Sequence, residues 1–288
     1  MNQINLFIEL TRLKRPIGYM LLFWPCAWGL SIVYDFNGNL NNYFFYLILF
    51  FLGSVLMRSA GCIINDIADR KFDKKVSRTK NRPIASGKIS VNLSLFYSAI
   101  LCLVAFFILL NFNYFTILLA LGSMPLAFTY PLMKRYTYWP QLFLGITFNY
   151  GLILGWTSIT NELNLIPILF YVGAIFWTLG YDTIYGYQDI KDDEIIGLKS
   201  TSIKFKKYPK KFLMITYSLF SISLIAVGLE MNFSIFYFFS LLIAFYHLFF
   251  HQILKFKQNN SLTCFRIFKS NNFLGLIVLT NILIGKLL

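Results

Sequence analysis

Long apolar runs recur along nearly the whole chain, each close to the roughly 20 residues a helix needs to cross about 30 Å of hydrocarbon. Nine of them, at residues 16–34, 42–64, 91–110, 114–133, 140–159, 164–184, 212–229, 232–252 and 271–288, are separated by short polar segments. The pattern predicts an all-α, polytopic membrane protein with about nine transmembrane helices. The polar segments are too short for a separate soluble domain, so residues 1–288 read as a single transmembrane domain.

Acids are few and unevenly placed. Eight of the twelve lie in two places, Asp66, Asp69 and Asp73 after the second run, and Asp182, Asp189, Asp192, Asp193 and Glu194 after the sixth. At about 100° per residue, Asn65, Asp69 and Asp73 share one helical face, and the same rule puts Asp182, Asp189 and Asp193 on one face. Both clusters stand where a helix would leave the bilayer. Two facing sets of hard carboxylate oxygens suit Mg²⁺, which is usually held by a few carboxylates together with a substrate's own phosphates. Asn65, Asp66, Asp69, Asp73, Asp182, Asp189 and Asp193 are therefore the candidate metal ligands.

Composition and charge sharpen this picture. An apolar share of 57% with 13% charged residues excludes an ordinary soluble domain. The net charge of +14 would suggest nucleic acid in a soluble protein, but its distribution argues otherwise. Of 26 Lys and Arg, 24 lie in the N-terminus and alternate loops, and the loops at 35–41, 111–113, 160–163 and 230–231 hold none. By the positive-inside rule the N-terminus and both acidic clusters face the cytoplasm. Cys26, Cys62, Cys102 and Cys264 form no CxxC pair and indicate neither a disulfide framework nor a zinc site. No cleavable signal or Arg-rich transit segment is visible, and a bacterial inner membrane is expected.

The two outlying cations are Lys286 and Arg58. Arg58 stands seven residues before Asn65, inside the second run and on nearly the same helical face. An intramembrane charge is costly and needs a partner. It serves either as a counter-ion to Asp66 or Asp69, or as the partner of an anionic group on a substrate. After the first acidic cluster, the segment 74–87 gathers Arg78, Lys80 and Arg82 beside the carboxylates. Topology alone does not explain that mixture, whereas a metal-bridged diphosphate needs both signs together. Elsewhere, Arg12, Lys14 and Arg15 read as interfacial charges, and Trp24 and Trp28 lie too deep for simple anchors. Asn149, Tyr150 and Trp156 form a modest polar stripe on the fifth run. His247 and His251 have metal-ligand spacing but no third ligand, and read as interhelical hydrogen-bonders.

Residue order then points to a family. Asn65-Asp66-x-x-Asp69-x-x-x-Asp73 followed by Arg78-x-x-x-Arg82-Pro83 resembles the UbiA superfamily of intramembrane aromatic prenyltransferases, and Tyr181-Asp182-x-x-Tyr185-Gly186-x-x-Asp189-x-x-Asp192-Asp193 with Gly197-x-Lys199-Ser200-Thr201 resembles its second aspartate-rich signature. Arg15-Pro16-Ile17-Gly18 with Trp24-Pro25, and Tyr130-Pro131-x-x-Lys134-Arg135 with Trp139-Pro140-Gln141, are similar to the 4-hydroxybenzoate polyprenyltransferase branch of ubiquinone synthesis. Lys14 departs from that pattern, standing where an acidic or neutral residue is expected.

The resemblance implies helices around a central cavity opening to the cytoplasmic side. It also implies Mg²⁺ as cofactor, with polyprenyl diphosphate and 4-hydroxybenzoate as substrates. Asp69, Asp73, Asp189, Asp193 and Arg135 would be catalytic. Arg78, Lys80, Arg82, Lys134, Arg135 and Lys199 would bind the diphosphate, and Arg58, Asn65 and Arg15 the aromatic acceptor. The allylic bond would ionise and the prenyl cation would alkylate the ring ortho to its hydroxyl. The nearest alternative is a sister prenyltransferase of the menaquinone or haem pathway. A cation transporter fits less well, because its acids would lie near the midplane, and the Asp-Gly and Ala-Arg pairs of a CDP-alcohol phosphotransferase are absent from residues 65–73.

Overall fold

The structure is a computed structural model describing residues 3–288, and among them it is all helical. A short α1 (Gln3–Thr11) precedes α2 (Ile17–Val33) and α3 (Leu40–Asp73). Next come α4 (Val91–Leu109), α5 (Tyr114–Gly122), α6 (Met124–Thr129), a 3₁₀ turn at Tyr130–Leu132 and α7 (Met133–Tyr136). The second half holds α8 (Pro140–Thr160), α9 (Leu165–Gly186), α10 (Ile190–Ile195), α11 (Thr201–Lys204), α12 (Pro209–Glu230), α13 (Ile235–Phe245) running into a π-helical segment at Tyr246–Leu254, and α14 (Ser261–Leu287). Eight helical stretches are long and apolar enough to cross a membrane, and the 17-residue α2 joins them, in line with the nine apolar runs.

The helices begin where the sequence supplies a cap. Asn39, Ser90, Asn113, Asn164, Ser200 and Asn260 each accept a hydrogen bond from a first-turn backbone N–H of the helix that follows, satisfying a group that has no intrahelical acceptor. Pro140 and Pro209 open α8 and α12 at the one helical position where a missing N–H costs nothing.

Two elements differ from the sequence expectation, and a third carries the expected helical face well past its apolar run. The fourth run is broken into α5, α6, the 3₁₀ turn and α7, because Pro125 and Pro131 each withhold a donor from the helical ladder. The second run continues as helix to Asp73, so α3 is 34 residues, or roughly 51 Å, long and carries the first acidic cluster on its protruding end. The sixth run does the reverse. α9 stops at Gly186, so Asp182, Asp189 and Asp193 do not lie on one helical face: Asp182 is in α9, Asp189 precedes α10 and Asp193 is within it. A helix that has spanned the bilayer has no further apolar face to bury there, and glycine is a weak helix former.

α2 is the hub of the bundle, packing against α3, α8 and α14. Close approach to α8 is possible because Gly29, Gly151 and Gly155 have no side chain: a Cβ at Gly29 would lie 2.0 Å from the Leu152 carbonyl oxygen, and one at Gly155 2.3 Å from that of Cys26. Small residues at such crossings are the general device for packing membrane helices. Trp28 is fully buried against Phe170, Trp177 and Phe220, and its indole donates to the Gly275 carbonyl at 2.9 Å. Trp24 donates to Asn272 Oδ1 at 2.9 Å. Both tryptophans thus tie α2 to α14. Lys286 closes the far end of α2, its ammonium donating to the carbonyls of Ile32 and Tyr34 at 2.7 and 2.6 Å, acceptors that a helix C-terminus leaves open.

Candidate active site

One end of the bundle collects the acids and the cations that face them. On the α3 extension, Asp66, Asp69 and Asp73 are 2%, 1% and 6% exposed, and every one is paired. Arg12 reaches Asp66 Oδ1 at 2.5 Å, and Arg82 bridges Asp66 and Asp73 at 3.1 and 2.9 Å. Lys134 and Arg135 approach Asp69 from α7, at 2.5 and 3.9 Å. Arg135 also donates to the Ala68 carbonyl at 2.5 Å and lies over the Phe72 ring. Burying carboxylates this deeply requires such partners.

The second cluster is built differently. Arg78 clasps Asp189 through Nε at 2.7 Å and through Nη2, and the Ser77 N–H donates to Asp192 at 3.2 Å, so the loop after α3 is laced directly to the segment after α9. The Lys199 backbone N–H donates to the Lys134 carbonyl at 2.8 Å, and its ammonium to the Tyr136 carbonyl at 3.1 Å, joining the α7 loop to the same place. Asp182 and Asp193 carry no ion pair among the described residues. Burial, reinforced by the neighbouring Asp189 charge, pushes the Asp193 carboxyl up to about 6.

The structure therefore brings both acidic clusters together with Arg78, Arg82, Lys134, Arg135 and Lys199. Lys80 is exposed and outside the ion-pair network, and so is Arg15. Arg12, read from the sequence only as an interfacial charge, is a further member of the site. It sits in the turn after α1 with a left-handed backbone, φ 56°, and that turn aims its guanidinium back at Asp66. An arginine three residues before the Arg15-Pro16 pair was the one available signal.

Deeper in the membrane, α2, α3, α4, α5, α6 and α8 enclose an apolar cavity of about 330 Å³. Arg58, Tyr130 and Phe148 line it, as do Phe50, Phe112 and Leu154. Tyr150 also faces it, whereas Asn149 is turned away and donates to Thr178 Oγ1 at 2.7 Å, packing α8 on α9. Arg58 makes no ion pair with Asp66 or Asp69. Its guanidinium lies 5.4 Å from the Phe148 ring centroid, and its Nε is buried with no hydrogen-bond partner. Gly18 makes the room for it, since a Cβ there would sit 2.8 Å from Arg58 Nε. Asn65, directly before Asp66 and one turn from Asp69, likewise makes no side-chain hydrogen bond among the described residues.

Among the described residues no three acidic, His or Cys side chains close around a point. The oxygen donors nevertheless suit a hard divalent ion shared with a ligand. Asp69 Oδ1 is buried without a hydrogen bond, and Asp182, Asp193 and Asn65 add further uncommitted oxygens. His247 and His251 stack at 5.0 Å and spend their Nδ1 atoms on Gln252 and Lys255, well separated in sequence from either acidic cluster.

Comparison with known proteins bears on what this site belongs to. The bovine protein named 4-hydroxybenzoate polyprenyltransferase, mitochondrial, is 43% identical over 286 residues, covering 98% of this chain and 75% of the bovine one. A 4-hydroxybenzoate octaprenyltransferase of Hydrogenovibrio crunogenus is 38% identical over 286 residues, covering 99% of this chain and 98% of the other. Among solved structures, a UbiA homologue from Archaeoglobus fulgidus bound to GPP and Mg²⁺ superposes with a TM-score of 0.71 at 19% identity, covering 98% of this chain and all of that one. The model of the UbiA prenyltransferase family matches residues 22–277, a span that includes both acidic clusters, the cavity and all nine membrane helices in whole or part, and the chain belongs to that family.

Proposed function

We propose that the protein transfers a polyprenyl group from polyprenyl diphosphate to the ring of 4-hydroxybenzoate, ortho to the hydroxyl, with release of diphosphate, as a step of ubiquinone biosynthesis. The observation that carries this reading is an unpaired guanidinium, Arg58, in an apolar cavity beside interleaved acids and cations, in a chain whose relatives at about 40% identity bear that enzyme's name.

Each part of the site has a task in that reaction. Asn65, Asp66, Asp69, Asp73, Asp182, Asp189 and Asp193 would hold Mg²⁺, which would supply neutralisation of the charge that develops on diphosphate. Arg78, Arg82, Lys134, Arg135 and Lys199 bind the phosphate oxygens, with Lys80 at the rim. Of these cations, Arg78, Arg82, Lys134 and Arg135 pair with the carboxylates and would turn to the phosphate oxygens when substrate binds, so that no charge would be buried alone. Arg58 takes the benzoate carboxylate, with Asn65 beside it and Arg15 at the entrance. The apolar walls Phe50, Phe112 and Leu154 accept the prenyl tail and keep water from the allylic cation.

Membranes containing the protein, incubated with labelled 4-hydroxybenzoate, Mg²⁺ and a series of prenyl diphosphates, test the proposal. A prenylated hydroxybenzoate product is expected, and turnover only of other aromatic acceptors overturns it. We further propose that the protein resides in a bacterial inner membrane with the site facing the cytoplasm. A cysteine replacing exposed Ser86 should then resist an impermeant reagent added outside, while one replacing Glu162 should react; the opposite pattern reverses the orientation.

A further inference from the structure

At the head of α12, where the chain leaves the second acidic cluster, lies a second concave site of about 380 Å³. Lys207, Lys210 and Lys211 line it together with Tyr208, Phe256 and Gln258, and no acid is among its walls. All three lysines are exposed, and among the described residues none forms an ion pair. In this loop only Lys206 does so, with Glu194 at 2.8 Å. The aromatic floor is Phe256, 3% exposed, and Tyr208 stands out at 65% with the Lys211 ammonium 5.4 Å from its ring centroid.

The surface leading away from this site is apolar. Ile215, Leu219 and Ile222 follow Lys211 at i+4, i+8 and i+11, so they continue directly beneath it along one face of α12. They are 60%, 37% and 59% exposed, and nothing in the fold covers them. A cationic socket therefore tops an apolar strip, with an exposed tyrosine at the boundary between them, an arrangement suited to the polar–apolar border of a bilayer.

We propose that this socket binds the phosphate headgroup of an anionic phospholipid, whose acyl chain lies along Ile215, Leu219 and Ile222. Three unpaired lysines around one cavity recognise the phosphate, and the strip beneath them distinguishes a lipid from a free phosphate. Basic pockets at helix ends on the cytoplasmic side are suited to such headgroups, with each lysine near the surface contributing to the attraction. The inference rests on the membrane-spanning fold and is independent of the prenyl-transfer reading.

The test uses the purified full-length protein in micelles containing equal amounts of phosphatidylglycerol and phosphatidylcholine, with retained lipid counted by native mass spectrometry. The wild type should retain phosphatidylglycerol selectively. Lys207→Gln/Lys210→Gln/Lys211→Gln should lose that selectivity by on the order of a hundredfold. A charge-matched control, Lys74→Gln/Lys75→Gln/Lys88→Gln, should retain it within about twofold, since those lysines line neither this socket nor the apolar cavity. Lys211→Gln alone should lose roughly fivefold and Lys211→Arg much less, which keeps the proposal open to refutation should the triple variant fold poorly. Equal losses in the two triple variants would reduce the effect to net surface charge and overturn the proposal. Displacement of the retained lipid by millimolar inorganic phosphate would also overturn it, by showing a free-phosphate site instead.

Discussion

The two acidic clusters stand together at one end of the bundle but are built by opposite means. The first rides on a single uninterrupted helix, α3, whose extension beyond the bilayer fixes Asp66, Asp69 and Asp73 at i+3 and i+4 spacings. All three are almost fully buried and every one is held by a cation. The second spreads over the end of α9, a turn and the short α10, and leaves Asp182 and Asp193 without an ion pair. A rigid helix places carboxylates accurately but shuts them away from water, so they need permanent counter-charges. A broken segment leaves Asp182 and Asp193 without such a pairing, and burial together with the neighbouring Asp189 charge raises Asp193 to about 6 against the pull of Lys134 and Arg78.

The largest expected effect tests whether the two halves form one centre. Asp69→Asn, Asp73→Asn, Asp189→Asn and Asp193→Asn should each lower turnover by on the order of a hundredfold or more. Removing divalent metal with a chelator should abolish turnover of the wild type, restored by added Mg²⁺. Near-normal rates in any two of the four variants would separate the clusters and end the shared-metal reading.

Stability sharpens the contrast. Asp66→Asn removes the common partner of Arg12 and Arg82 and leaves both guanidinium groups half-buried, so thermal stability in detergent should fall by roughly 1–3 kcal/mol. Asp182→Asn strands no ion-paired cation and should change stability by less than about 0.5 kcal/mol. Comparable melting losses in the two variants would contradict the asymmetry drawn here.

A smaller and more selective effect is expected at Arg58, which lines the apolar cavity deeper than the clusters and belongs to neither ion-pair network. Arg58→Ala should raise KM for 4-hydroxybenzoate by about tenfold or more, with KM for the prenyl diphosphate within about twofold and the melting temperature preserved. Equal changes in both KM values would assign Arg58 to general charge balance instead of the acceptor carboxylate.

Much of this architecture was legible in advance. The nine apolar runs foretold the helices, because bilayer thickness fixes their length and every backbone polar group must be satisfied within the helix. The i+4 spacing of Asp69 and Asp73 foretold their shared face, since α3 does continue through them. The same arithmetic misplaced Asp189 and Asp193, because periodicity presumes a helix and contains no information on where one stops. The prolines that break the fourth run were visible, but only the folded chain shows Pro125 and Pro131 dividing it into short pieces.

What the sequence by itself determined is the local and the compositional: the membrane spans, the confinement of acids to two places, the cations concentrated on one side, and motifs whose residue order marks the family. Tertiary structure alone decided which cation meets which acid. Arg12 reaches Asp66 across 54 residues, Arg78 reaches Asp189 across 111, and Trp24 reaches Asn272 across 248, while Arg58 is left facing the cavity. Pairings of this kind depend on helix packing and on single turns such as the left-handed backbone at Arg12. Helical periodicity extends only a few residues along the chain, whereas these contacts are set by how close two helices approach, and glycines such as Gly18 and Gly155 fix that distance from the far side of the interface.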